Sequence, residues 1–238
     1  MKRARDFFTA EEQKKIGDAV RAAEQQTSGE IVPVVATASG RYERGEDIGG
    51  LLFGLAALAL TWRYFQRIVP AHGEWAQGHN VALSLGWLLL IVIAGFIAGV
   101  AITNRVGWLK RLLAGHREMR REVERSAWEA FVRFGVAKAT RKTEILLYVS
   151  LLERMVCVLG DDAIGQKLDQ QIWDKIHGTI VDGIRQGHPA NGFCAAITES
   201  GELLRQHFPH HAGEQKALTN ELRIIDYAHI TVNEGKRP

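Results

Sequence analysis

The stretch of sequence that decides the fold is Val81–Thr103, VALSLGWLLLIVIAGFIAGVAIT. It contains no Asp, Glu, Lys or Arg, and the stretch free of these residues extends from Trp75 to Asn104. About 20 consecutive apolar residues are enough for an α-helix to cross a bilayer. A helix on the surface of a soluble protein has a polar face, and this segment has none. We therefore expect it to cross a membrane.

A shorter apolar segment precedes it, from Ile48 to Trp62 (IGGLLFGLAALALTW). This segment is long enough to span only if Arg63 and Arg67 extend their charged ends toward the lipid headgroups. A re-entrant or interfacial helix therefore stays open as an alternative. The polar stretch Pro70–Asn80 is typical of a tight loop. Together these features predict a transmembrane helical hairpin over residues 46–104.

Positive charge is concentrated outside the two ends of this hairpin, whereas only two arginines flank its loop. Lys and Arg are enriched on the cytoplasmic side of membrane proteins. We therefore expect a multi-pass protein of the cell (inner) membrane, with both ends of the hairpin and the soluble domain on the cytoplasmic side. The charges outside the hairpin are Arg41, Arg44, Arg105, Lys110, Arg111, Arg117, Arg120 and Arg121.

The second apolar segment lacks the ionisable groups that mark proton relays and ion pathways inside membranes. Gly95 and Gly99 have the GxxxG spacing that lets membrane helices approach closely. The hairpin is therefore expected to be an anchor in the lipid bilayer, able to form a homo-oligomer. A subunit of an oligomeric transport assembly is an alternative, because two helices alone enclose no pathway.

The composition of the 238 residues argues against two classes of function. Lys and Arg number 30 and Asp and Glu 27, so the net charge is only +3. Nucleic-acid binding usually needs a more concentrated basic surface, so we expect no nucleic-acid partner. Cys157 and Cys194 have no metal-ligand or CxxC spacing, which argues against a zinc site.

The sequence before the hairpin predicts a helix and a strand. Thr9 and Glu12 have the spacing of a capping box, and the helix should run from Ala10 to about Gln26. Glu30–Thr37 is rich in β-branched residues and is predicted to form a strand. Pro33 disfavours a central position for that strand, or indicates a bulge.

After the hairpin, the pattern predicts a long amphipathic helix, a β-hairpin and two further helices. The fold class is therefore α/β, with residues 1–45 and 105–209 forming one domain and residues 210–238 a polar C-terminal tail. The expected elements are a helix over His116–Phe134, strands at Glu144–Ser150 and Met155–Leu159, and helices over Leu168–Ile184 and Asn191–Phe208.

Acidic residues follow the second strand of the predicted β-hairpin, at a strand end where open α/β sheets often bind ligands. Asp161 and Asp162 offer hard oxygen ligands for Ca²⁺ or Mg²⁺, and Glu30 at another strand offers a third. Alternatively, Asp162 caps the next helix and Asp161 holds the turn. Arg154 is a candidate phosphate ligand if it points toward Asp161. Otherwise it forms a solvated charge pair with Glu153.

The run Thr143–Ile164 (TEILLYVSLLERMVCVLGDDAI) contains a strand, a Glu-Arg turn, a second strand and a Gly-Asp exit, and it resembles the central part of the TPM domain family. Phe8-Thr9 and Ser28–Ile31 resemble the start of that family's first helix and first strand. The resemblance covers most of both soluble halves and excludes the hairpin and the tail. It implies a three-layer domain with a Rossmann-like sheet.

The resemblance also implies an acidic site near strand ends, connected with divalent-metal binding and, in some members, phosphatase activity. Carried over by position, Asp161 is the main site residue, with Asp162, Arg154 and Glu30 beside it. A LemA-like membrane protein is the implied partner. We accordingly expect a membrane-anchored domain that binds a divalent metal or a phosphorylated ligand and acts in membrane protein assembly or maintenance. A metal-assisted phosphatase is the alternative.

Overall fold

The computed structural model of this chain describes residues 3–65, 84–134, 143–165, 169–209 and 219–226. The chain divides into two compact units, an insert from Tyr42 to Gly115 and an α/β unit made from the residues before and after it. In chain order the elements are α1 (Ala10–Glu24), β1 (Glu30–Ala36), α2 (Glu43–Phe65), α3 (Leu85–Arg105), α4 (Gly107–Leu113), α5 (His116–Arg133), β2 (Glu144–Ser150), β3 (Met155–Gly160), α6 (Asp162–Gly165), α7 (Gln170–Arg185), α8 (Pro189–His207) and β4 (Arg223–Ile225).

The α/β unit contains a four-stranded mixed sheet with the order β3-β2-β1-β4. β1 and β2 are parallel along their whole length, from Glu30 opposite Glu144 to Ala36 opposite Ser150. β3 returns antiparallel to β2, which places Gly160 opposite Ile145. The end of β3 therefore lies at the same edge of the sheet as the starts of β1 and β2.

Both faces of β1 and β2 are covered, as their continuous apolar sequences require of parallel strands. Successive strand residues point to opposite faces of a sheet. Accordingly, Ile31 and Val35 lie in a core with residues of α1, α7 and α8, whereas Val32 and Val34 lie in a second core with residues of α5. The predicted mixed α/β fold is confirmed.

The start of α1 shows how local sequence fixes an element. The Thr9 hydroxyl oxygen accepts a hydrogen bond from the Glu12 amide at 3.2 Å, and the Glu12 carboxylate accepts one from the Thr9 amide at 2.8 Å. This predicted capping box satisfies two amides that have no partner within the helix.

The insert contains α2 and α3, which pack against each other through glycines. A Cβ atom on Gly99 would lie 2.8 Å from the carbonyl oxygen of Gly49 and 2.9 Å from the Cα atom of Gly50. A Cβ atom on Gly95 would lie 2.9 Å from that of Ala57. The glycines of the GxxxG motif therefore serve a contact within the chain. Both helices are long and apolar enough to cross a membrane.

The short elements α4 and β4 lie where the sequence predicts no regular structure. The expected polar tail contributes β4, which pairs in parallel with Val34–Ala36 of β1. Because β4 begins its pairing after Pro33, this proline has a strand partner on only one side within the described residues, and its missing amide hydrogen is tolerated. α4 is a helix separate from α3 because Val106 between them adopts an extended backbone, with φ −102° and ψ 91°.

Candidate functional site

Three carboxylates meet where β1 and β2 begin and β3 ends. Glu30 and Glu144 are register partners at the first positions of β1 and β2. Asp161 follows β3, and its amide donates a hydrogen bond to the carbonyl oxygen of Glu144 at 3.1 Å. The side chains of Asp161 and Glu144 are also hydrogen-bonded to each other. We call Glu30, Glu144 and Asp161 the acidic cluster.

Two acids of the cluster are shielded from water, and the pKa of one of them lies near neutral pH. Glu144 is 2% exposed and Glu30 is 7% exposed. Burial, followed by the negative charges of Asp161 and Glu30, raises the pKa of the Glu144 carboxyl to about 7. The Oε2 atom of Glu144 and the buried hydroxyl of Thr143 have no hydrogen-bond partner among the described residues. One oxygen atom of the cluster and one hydroxyl beside it therefore have bonding capacity that is not filled.

Glycines before two of the acids allow this arrangement. A Cβ atom on Gly29 would lie 2.7 Å from the carbonyl oxygen of Thr143, so glycine lets the chain preceding β1 approach β2 closely. A Cβ atom on Gly160 would lie 2.5 Å from the ring of Trp173. Trp173, on α7, thus packs across the last residue of β3, next in sequence to Asp161.

The structure brings together two of the predicted site residues, Asp161 and Glu30, and adds Glu144. A signal for Glu144 exists in the sequence, because both parallel strands begin with Glu-Ile. Asp162 is the first residue of α6, and its side chain lies outside the described part of the structure. The cluster also lies at the edge where the parallel strands begin, because β3 runs antiparallel to them.

Arg154 does not join this cluster. It precedes β3 whereas Asp161 follows it, so a whole strand separates them, about 20 Å at ~3.3 Å per residue. Arg154 adopts a left-handed backbone with φ 55° in the turn. Its neighbour Glu153 is 2% exposed and is therefore a buried acid, not the solvated one considered above.

Glu153 instead fills the opposite edge of the sheet, where β1 and β2 end. Its carboxylate accepts hydrogen bonds from the amides of Ser39 at 2.9 Å and Gly40 at 3.2 Å, and from the hydroxyl of Ser150. The Ser39 hydroxyl also contacts the Tyr148 hydroxyl at 3.0 Å. Burial raises the pKa of Tyr148 to about 12, so this hydroxyl stays protonated. The edge at which α/β sheets commonly bind ligands is thus occupied by the chain itself.

The acidic cluster offers the chemistry of hard oxygen ligands and of a proton held near neutral pH. Carboxylate and hydroxyl oxygens suit Ca²⁺ and Mg²⁺ rather than softer metals. In the described residues no group of three or more His, Cys, Asp or Glu side chains is gathered as a metal site. The observed arrangement is a hydrogen-bonded carboxyl pair with a third carboxylate beside it.

Comparison with known proteins informs the fold. No protein-family model matches the chain, and no curated protein matches it. The chain is similar to the NMR structure of the BA42 protein from the psychrophilic bacterium Bizionia argentinensis, with 18% sequence identity and a TM-score of 0.52. The similarity covers 91% of this chain and 94% of that chain. At this level of sequence identity, the similarity concerns the fold alone.

Proposed function

We propose that this protein is a membrane-anchored binding module whose acidic cluster takes a divalent cation, Ca²⁺ or Mg²⁺, alone or together with a phosphorylated ligand. The observation that carries the proposal is the hydrogen-bonded pair of Glu144 and Asp161 beside Glu30. Three acids at one sheet edge repel one another in a poorly solvated place, and a divalent ion would neutralise that charge.

The residues have separate roles in this proposal. Glu144 and Asp161 would supply carboxylate oxygens to the ion, and Glu30 would add negative charge from the adjacent strand. The bound ion would polarise a phosphate oxygen of a ligand. Gly29 and Gly160 would keep the two strand ends close enough for the acids to act together, as their short contacts indicate.

We further propose that the α/β unit is a three-layer, Rossmann-like domain of the TPM type. Separate cores on the two faces of the sheet support this arrangement. The resemblance of Thr143–Ile164 to the TPM domain family supports a role in membrane protein assembly or maintenance with a LemA-like membrane protein as partner. Pull-down of such a protein by the detergent-solubilised chain, compared with a chain carrying Asp161→Asn, tests that partnership.

Membrane anchoring through α2 and α3 is compatible with the connectivity of the sheet. β1 precedes the insert and β2 follows it, yet the two strands are hydrogen-bonded neighbours. A sheet cannot form across a bilayer, so an insert that enters the membrane has to return to the side from which it came. Two full crossings satisfy this requirement, and the charges flanking the hairpin favour the cytoplasm for the α/β unit.

Cation binding is tested by calorimetric titration of the full chain in detergent with CaCl₂ and with MgCl₂. We expect saturable binding that is lost in Glu144→Gln, which keeps the shape of the side chain but removes its charge. Glu11→Gln is the matched control, because Glu11 is exposed in the first turn of α1 and lies outside the cluster. Equal binding by the two variants, or none by the unaltered chain, would overturn the proposal.

Release of phosphate from a phosphomonoester by the same samples tests the alternative of a metal-assisted phosphatase. The pKa of about 7 of Glu144 is the feature that favours this alternative, since a group with such a pKa can transfer a proton near neutral pH. Metal-dependent release that disappears in Glu144→Gln would establish catalysis, and cation binding without release would establish a binding module.

A further inference from the structure

The short helix α4 is fixed to the insert by its charged side. The Lys110 ammonium contacts the Glu46 carboxylate of α2 at 2.6 Å, and their side chains are 14% and 19% exposed. The backbone of α4 also lies close to α2, because a Cβ atom on Gly45 would be 3.6 Å from the carbonyl oxygen of Lys110. α4 therefore has a defined orientation on α2.

The opposite side of α4 is apolar and exposed. Trp108 and Leu112, one helical turn apart, are 70% and 71% exposed. A surface helix of a water-soluble protein has the reverse arrangement, with apolar side chains inward and lysines in water. α4 instead turns its lysine toward α2 and its tryptophan outward. This inversion indicates that something other than water covers the outer side.

We propose that Trp108 and Leu112 of α4 insert into the boundary between lipid headgroups and acyl chains, so that α4 lies flat on the membrane at the end of the hairpin. The inference rests on the proposed membrane insertion of α2 and α3. Two features favour lipid as the occupant. α4 begins directly after the apolar helix α3, with only Val106 between them, and its Trp is the side chain enriched at membrane interfaces.

An interfacial position also accounts for the charges near this face. Arg105 ends α3 and Arg111 flanks the exposed pair on α4, and both can reach phosphate groups while the apolar side chains enter the acyl boundary. Helices of this kind bury their apolar face about 5–10 Å into the boundary between headgroups and acyl chains. α4 would thus set the depth at which the hairpin sits.

Spin labelling of the full chain in phospholipid vesicles tests this inference. Cys157→Ala and Cys194→Ala remove the two native cysteines, and single cysteines then replace Trp108 or Leu112. Ile93→Cys, at a 57% exposed position of α3, is the reference for the bilayer interior. Glu11→Cys, at an exposed position of α1, is the reference for water. Collision rates with oxygen, which concentrates in acyl chains, and with a water-soluble nickel complex report the surroundings of each label.

The expected result is that labels at 108 and 112 collide several-fold more often with oxygen than with the nickel complex, at a depth shallower than the label at 93. The inference would be overturned if the labels at 108 and 112 behaved like the label at 11, or if protein shielded them from both reagents. Either result would leave membrane insertion intact. A label at 93 exposed to the nickel complex would overturn insertion itself.

A second measurement avoids the cysteine substitutions. In vesicles with brominated acyl chains, bromine should quench the fluorescence of Trp108. Trp108→Phe should therefore show a smaller loss of tryptophan fluorescence to bromine than the unaltered chain. An equal loss of fluorescence in both proteins would contradict the interfacial position of α4.

Discussion

Glu144 should make the stability of the α/β unit depend on pH. Its pKa is about 7 in the folded protein against 4.5 for an ordinary glutamate. Between these values the unfolded chain releases a proton that the folded chain retains. The contribution of Glu144 to the free energy of unfolding should therefore be greatest below about pH 4.5, fall as the pH rises to about 7, and change no further above it. At ~1.4 kcal/mol per pKa unit, the fall is at most roughly 3–4 kcal/mol.

Glu144→Gln resembles the protonated side chain and should remove this fall. Thermal unfolding of the two proteins in detergent, at several pH values from 4 to about 8, measures the difference. Glu11→Gln should follow the unaltered chain throughout, because Glu11 is exposed. Parallel pH profiles for the unaltered chain and Glu144→Gln would show that folding does not raise the pKa of Glu144.

Glu153 should be a strong stabilising residue although it is a buried acid. Glu153→Ala would leave the amides of Ser39 and Gly40 and the hydroxyl of Ser150 without their acceptor. Each buried polar group left unsatisfied costs about 1–3 kcal/mol, so we expect a loss of at least ~3 kcal/mol. Chemical denaturation in detergent measures it. A loss under 1 kcal/mol would mean that water replaces the carboxylate.

The neighbouring residue gives the control for this variant. Arg154 has φ 55°, a region that costs side chains other than glycine roughly 1–2 kcal/mol. Arg154→Gly should therefore leave stability unchanged or raise it by up to ~1 kcal/mol, because glycine relieves strain but gains entropy when unfolded. Destabilisation by Arg154→Gly would indicate that its side chain makes a contact important for the turn.

Single residues also show where sequence-based prediction of the site succeeds and fails. Asp161 and Glu30 could be predicted because each follows a glycine at a strand boundary. Glu144 could not be selected from a strand start alone, since its importance depends on the parallel register that places it beside Glu30. The position of Arg154 depends on the direction of β3, which puts it at the opposite edge from Asp161.

At the scale of elements, glycine contacts should govern the pairing of α2 with α3. Gly99→Ala would place a methyl group 2.8 Å from a backbone carbonyl oxygen of α2, and backbone atoms cannot rotate away. Overpacking of this kind costs about 1–3 kcal/mol. Gly86→Ala is the control in the same helix, because its nearest neighbour is the Ser84 hydroxyl at 4.0 Å.

Unfolding of the detergent-solubilised chain by increasing SDS distinguishes the two variants. Gly99→Ala should unfold at a lower SDS fraction than the unaltered chain, and Gly86→Ala should not. Equal effects of the two substitutions would show that α2 and α3 are separated in detergent and that the observed contact does not hold them together.

Elements with long, regular patterns could be predicted and short ones could not. β2 has its predicted bounds, Glu144–Ser150, because Leu151–Arg154 separates two apolar runs in the pattern of a β-hairpin. α4 was not predicted because its seven residues provide too little periodicity to separate them from the charged end of α3. β4 was not predicted because its three residues become a strand only through pairing with β1.

At the scale of the whole molecule, the order of the strands constrains how the chain could cross a membrane. β1 lies before the insert, and β2, its hydrogen-bonded neighbour over seven residue pairs, lies after it. One crossing would put these strands on opposite sides of the bilayer, so the number of full crossings has to be even. This requirement disfavours a re-entrant α2 combined with a spanning α3, an alternative that the sequence alone leaves open.

A topology measurement on the full chain tests this constraint. A fluorescent protein, which matures in the cytoplasm, and alkaline phosphatase, which is active only outside it, are fused in turn at the N-terminus, after Gly115 and between the two apolar helices. We expect fluorescence at the first two positions and phosphatase activity at the third. Phosphatase activity after Gly115 with fluorescence at the N-terminus would mean one crossing, which the pairing of β1 with β2 does not permit. Fluorescence at all three positions would leave the sheet intact and place the hairpin outside the bilayer core, because no crossing is also an even number.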